Sequence, residues 1–255
     1  MNNKIILFLN SISLLATILV NYLLNTGIAN GNTMKSISDR YQNLFTPAGY
    51  AFSIWGIIYL FLIVYNIYSY YQLKKYRNDA NLQSVGILFF ATNIVNGLWV
   101  YFWLNDEIAV CLVLMVVLFI LLMKIVLKNK FLQSKSSFVE KMCIKLPFDL
   151  YAGWVSVALI ANTAAWLKKI TWQPVILDEI GWAIGLLIIA GIIGIYVSWE
   201  HNAKAFGLAG AWGITAVAVS NFNENFNIVV AAVILSISLL SVSLYRLTNR
   251  MIPED

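Results

Sequence analysis

The chain has 255 residues, 60% of them hydrophobic and 11% charged, with a mean hydropathy of +0.77. That profile excludes an ordinary soluble domain and points to an all-α integral membrane protein. A net charge of +5 suggests nucleic acid at first sight, but the positions of the basic residues assign it to membrane topology, and no nucleic-acid partner is expected.

Apolar runs near the ~20 residues that cross a bilayer fall at about 5–24, 50–71, 84–104, 108–127, 147–167, 176–199 and 227–247. The first has only Lys4 ahead of it, in the manner of a signal peptide, but it is long and no small-x-small cleavage site follows cleanly, so it reads as a span. A shorter Gly/Ala-rich run at 205–220 is the weakest span, and it decides between seven and eight. With eight spans and the N-terminus inside, only Lys35, Arg40, Lys168 and Lys169 face outward, while the other 13 of the 17 basic residues, from Lys4 to Arg250, face inward. Seven spans would move Arg246 and Arg250 outside. The basic bias therefore predicts eight spans with both termini cytoplasmic, in a bacterial cytoplasmic (inner) membrane.

In chain order, residues 25–46 form a polar outer segment, including Asn30-Gly31-Asn32 and Asp39-Arg40-Tyr41, long enough to fold over a cavity. Pro47 and Gly49 then place a turn before the second span. Phe52, Trp55 and Tyr59 follow at i, i+3 and i+7, which on one continuous helix puts three rings on one face. Lipid is satisfied by Leu and Ile, so such a face either packs against other helices or lines a pocket for a flat, greasy ligand. Asn93 and Asn96 are three apart on the third span, with Trp99 and Trp103 continuing the same face. They either bond neighbouring helices or, if they face a cavity, meet a ligand's polar edge. Only Asn105-Asp106-Glu107 joins the third span to the fourth, which predicts an antiparallel hairpin. The basic stretch 128–145 reads as a solvated inner loop, with anionic-lipid contact secondary.

On the fifth span, Trp154, Ala158, Asn162 and Trp166 recur every four residues as a slowly drifting stripe, and small Ala158 leaves room for a close approach. Trp166, Trp172 and Trp199 suit the interfacial aromatic belt. The last three spans carry Gly181/Gly185, Gly191/Gly194 and Gly207/Gly210/Gly213, a pattern for close helix packing or for a homodimer face. A tight polar link, Asn221-Phe222-Asn223-Glu224-Asn225, precedes the last span. A cholesterol-type pattern, Val242-x2-Tyr245-x4-Arg250, arises at almost any helix end and carries no weight. Cys111 and Cys143 suggest neither a disulfide framework nor a metal site, and the one histidine, His201, reads as a solvated loop residue. No Asp, Glu, Lys, Arg or His falls in the central third of a span, which weighs against an ion-driven pump and leaves no acid–base or nucleophilic set in view.

Three segments in order, Pro47…Phe52…Trp55…Tyr59, Asn96-Gly97-Leu98-Trp99-Val100-Tyr101-Phe102 and Trp154-Val155-Ser156-Val157-Ala158…Asn162…Trp166, resemble the tryptophan-rich sensory protein family, also called translocator protein (TspO/MBR). Ala48 and Tyr50 stand where that family carries a proline and a tryptophan. The resemblance implies a five-helix bundle over residues 1–167, leaving 168–255 as an extension of three further transmembrane helices. It also implies a pocket for porphyrins and other planar hydrophobic molecules, formed by Pro47, Phe52, Trp55, Tyr59, Asn96, Trp99, Trp154, Ala158 and Asn162. Indole and phenol rings suit flat ligands, and amides suit their polar rims. The expected function is that of a non-enzymatic receptor or sensor-like protein that binds, and in one version transports, a tetrapyrrole. No cofactor is required beyond a porphyrin or haem-type ligand. A transporter for a small neutral solute, an enzyme acting on a bound porphyrin, and a structural membrane subunit are the alternatives. Saturable porphyrin binding separates the first and third readings from the others, and product formation separates those two.

Overall fold

The computed structural model describes residues 2–28, 30–76, 80–130, 137–173 and 177–248. Each long apolar run becomes a helix, because only internal hydrogen bonding satisfies a backbone in lipid. In chain order these are α1 (Asn3–Asn25), α2 (Met34–Arg40), α3 (Ile54–Tyr76), α4 (Ala80–Leu104), α5 (Ile108–Lys130), α6 (Phe138–Glu140), α7 (Leu146–Lys169), α8 (Glu179–Glu200), α9 (Lys204–Ser220) and α10 (Phe226–Thr248). Among the described residues seven helical stretches are long and apolar enough to cross a membrane; α9, at 17 residues, is shorter.

Starts and stops follow local chemistry. Asn2 caps α1 by accepting from the Lys4 N–H, and Asp178 caps α8 by accepting from the Gly181 N–H. The α4–α5 link is the expected tight hairpin. Asp106 takes φ 65°, its N–H donates to Trp103 O at 3.0 Å, and the Glu107 N–H donates to Phe102 O at 2.9 Å. This is a Schellman closure with aspartate where glycine is usual. α7 closes in the same way at Thr171, φ 54°.

Three stretches differ from the sequence reading. The basic segment 128–145 is largely helical: α5 runs to Lys130, Ser137 and Glu140 form a capping box, and a π-helical turn, Lys141–Lys145, leads into α7. Residues 131–136 lie outside the described residues. The wide turn has a local cause, since the ring of Pro147 inside a regular helix would strike the carbonyl of Cys143 four residues back. The second span does not begin as one helix, because Gly49–Ser53 is a 3₁₀ turn and α3 starts only at Ile54. Phe52 therefore precedes the helix, and the shared-face spacing holds for Trp55 and Tyr59 alone. His201 is half-buried at the end of α8, with its ring edge-on to Tyr196 at 5.9 Å.

Two compact units make up the chain: residues Met1–Ile37 with Ile54–Phe148, and residues Ser38–Ser53 with Asp149–Asp255. In the first, α1 packs along α4 through a polar seam. Asn93 Nδ2 donates to Ser13 Oγ at 3.0 Å, and Thr17 Oγ1 donates to Asn93 O at 2.8 Å. Small residues on α4 let α1 approach: Ile6 lies over Gly86, and Thr17 Oγ1 lies 3.7 Å from where a Cβ on Gly97 would be. In the second unit, α7 to α10 enclose an apolar cluster that includes Phe45, Val157, Leu187, Ile214 and Ile228. Its glycines admit neighbours within the unit, Gly194 against Leu239, Gly213 against Val157 and Gly153 against the backbone of Phe206. Those positions serve intramolecular packing.

Candidate functional site: a buried aromatic stack

In the first unit the best-defined candidate is a column of four rings. Trp55 and Tyr59, one turn apart on α3, stack at 5.6 Å with an interplanar angle of 25°. Trp55 meets Trp99 of α4 at 5.8 Å and 33°, and Trp99 stacks on Trp103 at 5.8 Å and 28°. All four are buried, none more than 7% exposed. Separations of 4.5–7 Å are those at which aromatic pairs attract beyond simple burial.

The polar part of this site gathers at the Tyr59 hydroxyl, which accepts from Asn21 Nδ2 at 3.1 Å and from Asn96 Nδ2 at 3.3 Å. Asn96 is 1% exposed, and its Oδ1 accepts no hydrogen bond among the described residues. Turning the amide over would give Tyr59 an acceptor for its own proton and would orphan the Asn96 nitrogen instead. In either orientation one polar atom of Asn96 stays open beside the stack.

The polar segment 25–46 is held by hydrogen bonds within each unit. Asn30 Nδ2 and Asn32 Nδ2 both donate to Leu104 O, at 2.7 and 2.8 Å, capping the last carbonyl of α4. Trp103 Nε1 donates to Met34 O at 3.3 Å. In the second unit, Asn221 Nδ2 donates to Leu44 O at 3.0 Å, and Phe45 is 1% exposed.

The nine expected ligand residues divide between the units. Trp55, Tyr59, Asn96 and Trp99 come together in the first. Pro47, Phe52, Trp154, Ala158 and Asn162 belong to the second. There Phe52 meets Trp154 edge-on at 6.5 Å and 79°. Asn162 Nδ2 donates to Ala158 O at 2.9 Å, a bond within its own helix. Pro47 is buried just ahead of the 3₁₀ turn, where the Ala48 N–H donates to Ala216 O at 2.9 Å. Tyr50 meets Trp212 edge-on at 5.2 Å, and Trp212 Nε1 donates to Ala51 O at 3.2 Å. Of the belt candidates, Trp172 pairs with Trp182 at 5.0 Å, and Trp199 stacks on Tyr245 at 5.9 Å and 6°. Arg77, Lys135 and Arg250 lie outside the described residues.

Asn21 escaped the sequence reading. Its signal was present in α1, where Asn10, Ser13, Thr17 and Asn21 recur at spacings of three and four, the mark of a single polar face.

Apolar helices long enough to span a bilayer, joined by short polar links, define an α-helical integral membrane protein with several spans. A family model described as TSPO-like protein matches residues 6–245, and the chain belongs to that family. The match runs past the 1–167 stretch that carries the quoted motifs and takes in α8, α9 and nearly all of α10. No curated protein and no solved structure matches the chain.

Proposed function

We propose that this TSPO-like protein binds a planar hydrophobic ligand of the porphyrin or tetrapyrrole class and acts as a membrane receptor or sensor, with movement of the ligand as an extension of the same activity. The observation that carries the proposal is the Trp55–Tyr59–Trp99–Trp103 column with the open polar atom of Asn96 beside it. A flat ligand that joins the column replaces ring–ring contacts worth ~0.5–1.5 kcal/mol each with a larger stacked surface. Asn96 then supplies a hydrogen bond at the ligand's edge. The residues invoked bind and orient, and the proposal contains no chemical step.

The companion topology is eight spans with both termini cytoplasmic in a bacterial inner membrane. Residues 1–167 form the five-helix part and 168–255 its three-helix extension. The charge bias supports this order, and α9 covers ~26 Å at 1.5 Å per residue, close to a hydrocarbon core of about 30 Å.

The test is quenching of tryptophan fluorescence by protoporphyrin IX in the detergent-solubilised protein, beside Trp55→Phe and Trp154→Phe. Saturable quenching, weakened tenfold or more by Trp55→Phe (about 1.4 kcal/mol), supports a site on the column. The Trp154→Phe arm reports whether the Phe52–Trp154 pair contributes. Linear quenching that is indifferent to both variants refutes the proposal.

A further inference from the structure

The first unit contains a cleft that the aromatic column does not use. Between α1 and α3 lies a cavity of about 710 Å³ whose apolar walls include Leu7, Phe8, Ile67 and Leu73. Two cations stand at one end of it, Lys4 in the first turn of α1 and Lys74 in the last turn of α3. Both side chains are exposed, and neither ammonium meets a carboxylate among the described residues. Lys75 is engaged elsewhere, its ammonium 5.6 Å and 5.1 Å from the ring centres of Tyr71 and Tyr76. Deeper in the cleft, Asn66 Nδ2 donates to Ser11 Oγ at 2.9 Å. Ser11 and Asn66 are seven and eight residues along their helices from Lys4 and Lys74, about 10–12 Å at 1.5 Å per residue.

The cleft is thus doubly cationic at its mouth, apolar along its walls and bridged farther along by an amide–hydroxyl pair. We infer that it is a binding site for one anionic phospholipid, with the headgroup phosphate between Lys4 and Lys74 and an acyl chain along Leu7, Phe8, Ile67 and Leu73. Charge complementarity selects this occupant. A zwitterionic choline lipid brings its own cation against the two lysines, and a neutral hydrocarbon leaves them unused. A soluble phosphate meets the lysines but makes no use of the apolar walls. Basic pockets between transmembrane helices are a recurrent way of holding acidic headgroups. The inference is independent of the porphyrin proposal, because the two sites share no residue.

Native mass spectrometry of the full-length protein tests it, titrating phosphatidylglycerol or phosphatidylcholine with identical acyl chains. Expected is one saturable phosphatidylglycerol, weakened about 10- to 30-fold in the Lys4→Gln/Lys74→Gln double variant and unchanged in Lys75→Gln. Restoring charge with Lys4→Arg/Lys74→Arg returns the binding. Because affinity rests on charge, added salt weakens phosphatidylglycerol binding to the unaltered protein, a readout that needs no variant. Equal affinity for phosphatidylcholine, salt-independent binding, full binding by the double variant, or displacement by soluble glycerophosphate at matched concentration each overturns the inference.

Discussion

Tyr59 has an exacting position in the first unit, because two carboxamides from different helices, the buried Asn96 and the half-buried Asn21, depend on one phenolic oxygen. Replacing it with phenylalanine keeps the ring in the column but withdraws the acceptor, and buried amides left unsatisfied cost ~1–3 kcal/mol. Tyr59→Phe is therefore expected to lower the melting temperature in detergent; a melting curve that matches the unaltered protein would mean that Asn21 and Asn96 rely on other partners. Legibility at this scale is uneven. Trp55, Tyr59, Asn96 and Trp99 stood out in the sequence because indole, phenol and amide groups are unusual in hydrocarbon. The spacing that tied Phe52 to them misled, because it assumed an α-helical phase through Gly49–Ser53, where the backbone is 3₁₀ at three residues per turn. Asn162 sits on the stripe its spacing placed it on, but its amide donates to Ala158 O. Spacing reports which face a residue occupies and says nothing of which acceptor is nearest.

Helices with several glycines invite two readings, and the contacts separate them position by position. At Gly153 of α7 a Cβ would lie 2.7 Å from Phe206 Cα and 2.8 Å from Phe206 C, both backbone atoms that no rotamer change can move. At Gly185 of α8 a Cβ would meet nothing within 4 Å. Gly153→Ala is expected to destabilise the second unit by at least the ~1–3 kcal/mol of ordinary overpacking. Gly185→Ala should be neutral or stabilising by up to about 1 kcal/mol, as helix propensity alone dictates. Thermal melts of the two variants read this directly, and equal losses would contradict the assigned packing. The apolar runs were legible as helices because hydrophobic length is a strong signal, and so was the α4–α5 hairpin, because three residues leave no alternative. The helical course of 137–145 was not. Its lysines read as solvent-facing loop, while the capping box Ser137–Glu140 and the π turn ahead of Pro147 are short-range features that a charge-based reading passes over.

For the molecule as a whole, the fate of α9 decides the topology. If it crosses, Asn223 faces outward and the C-terminus inward; if it stays at the surface, both assignments reverse. A reporter active only outside the cytoplasm, inserted at Asn223, is expected to be active, and a fluorescent protein fused after Asp255 to be fluorescent. The opposite pair of results means seven spans. The polar seam of the first unit also bears on how such a chain is made. Ser13 and its partner Asn93 are separated by 80 positions. At 5–20 residues per second of synthesis, α1 enters the bilayer about 4–16 s before α4 exists. Through that interval Ser13 and Thr17 lack their α4 partner and keep only the bonds to Asn10 O and Ser13 O within their own helix, while Asn21 waits for Tyr59 of α3. The newborn first helix is therefore the point at which assembly depends on the insertion machinery. A ribosome paused before Asn93 should leave α1 shielded by an insertase, and one paused after α4 has emerged should release it.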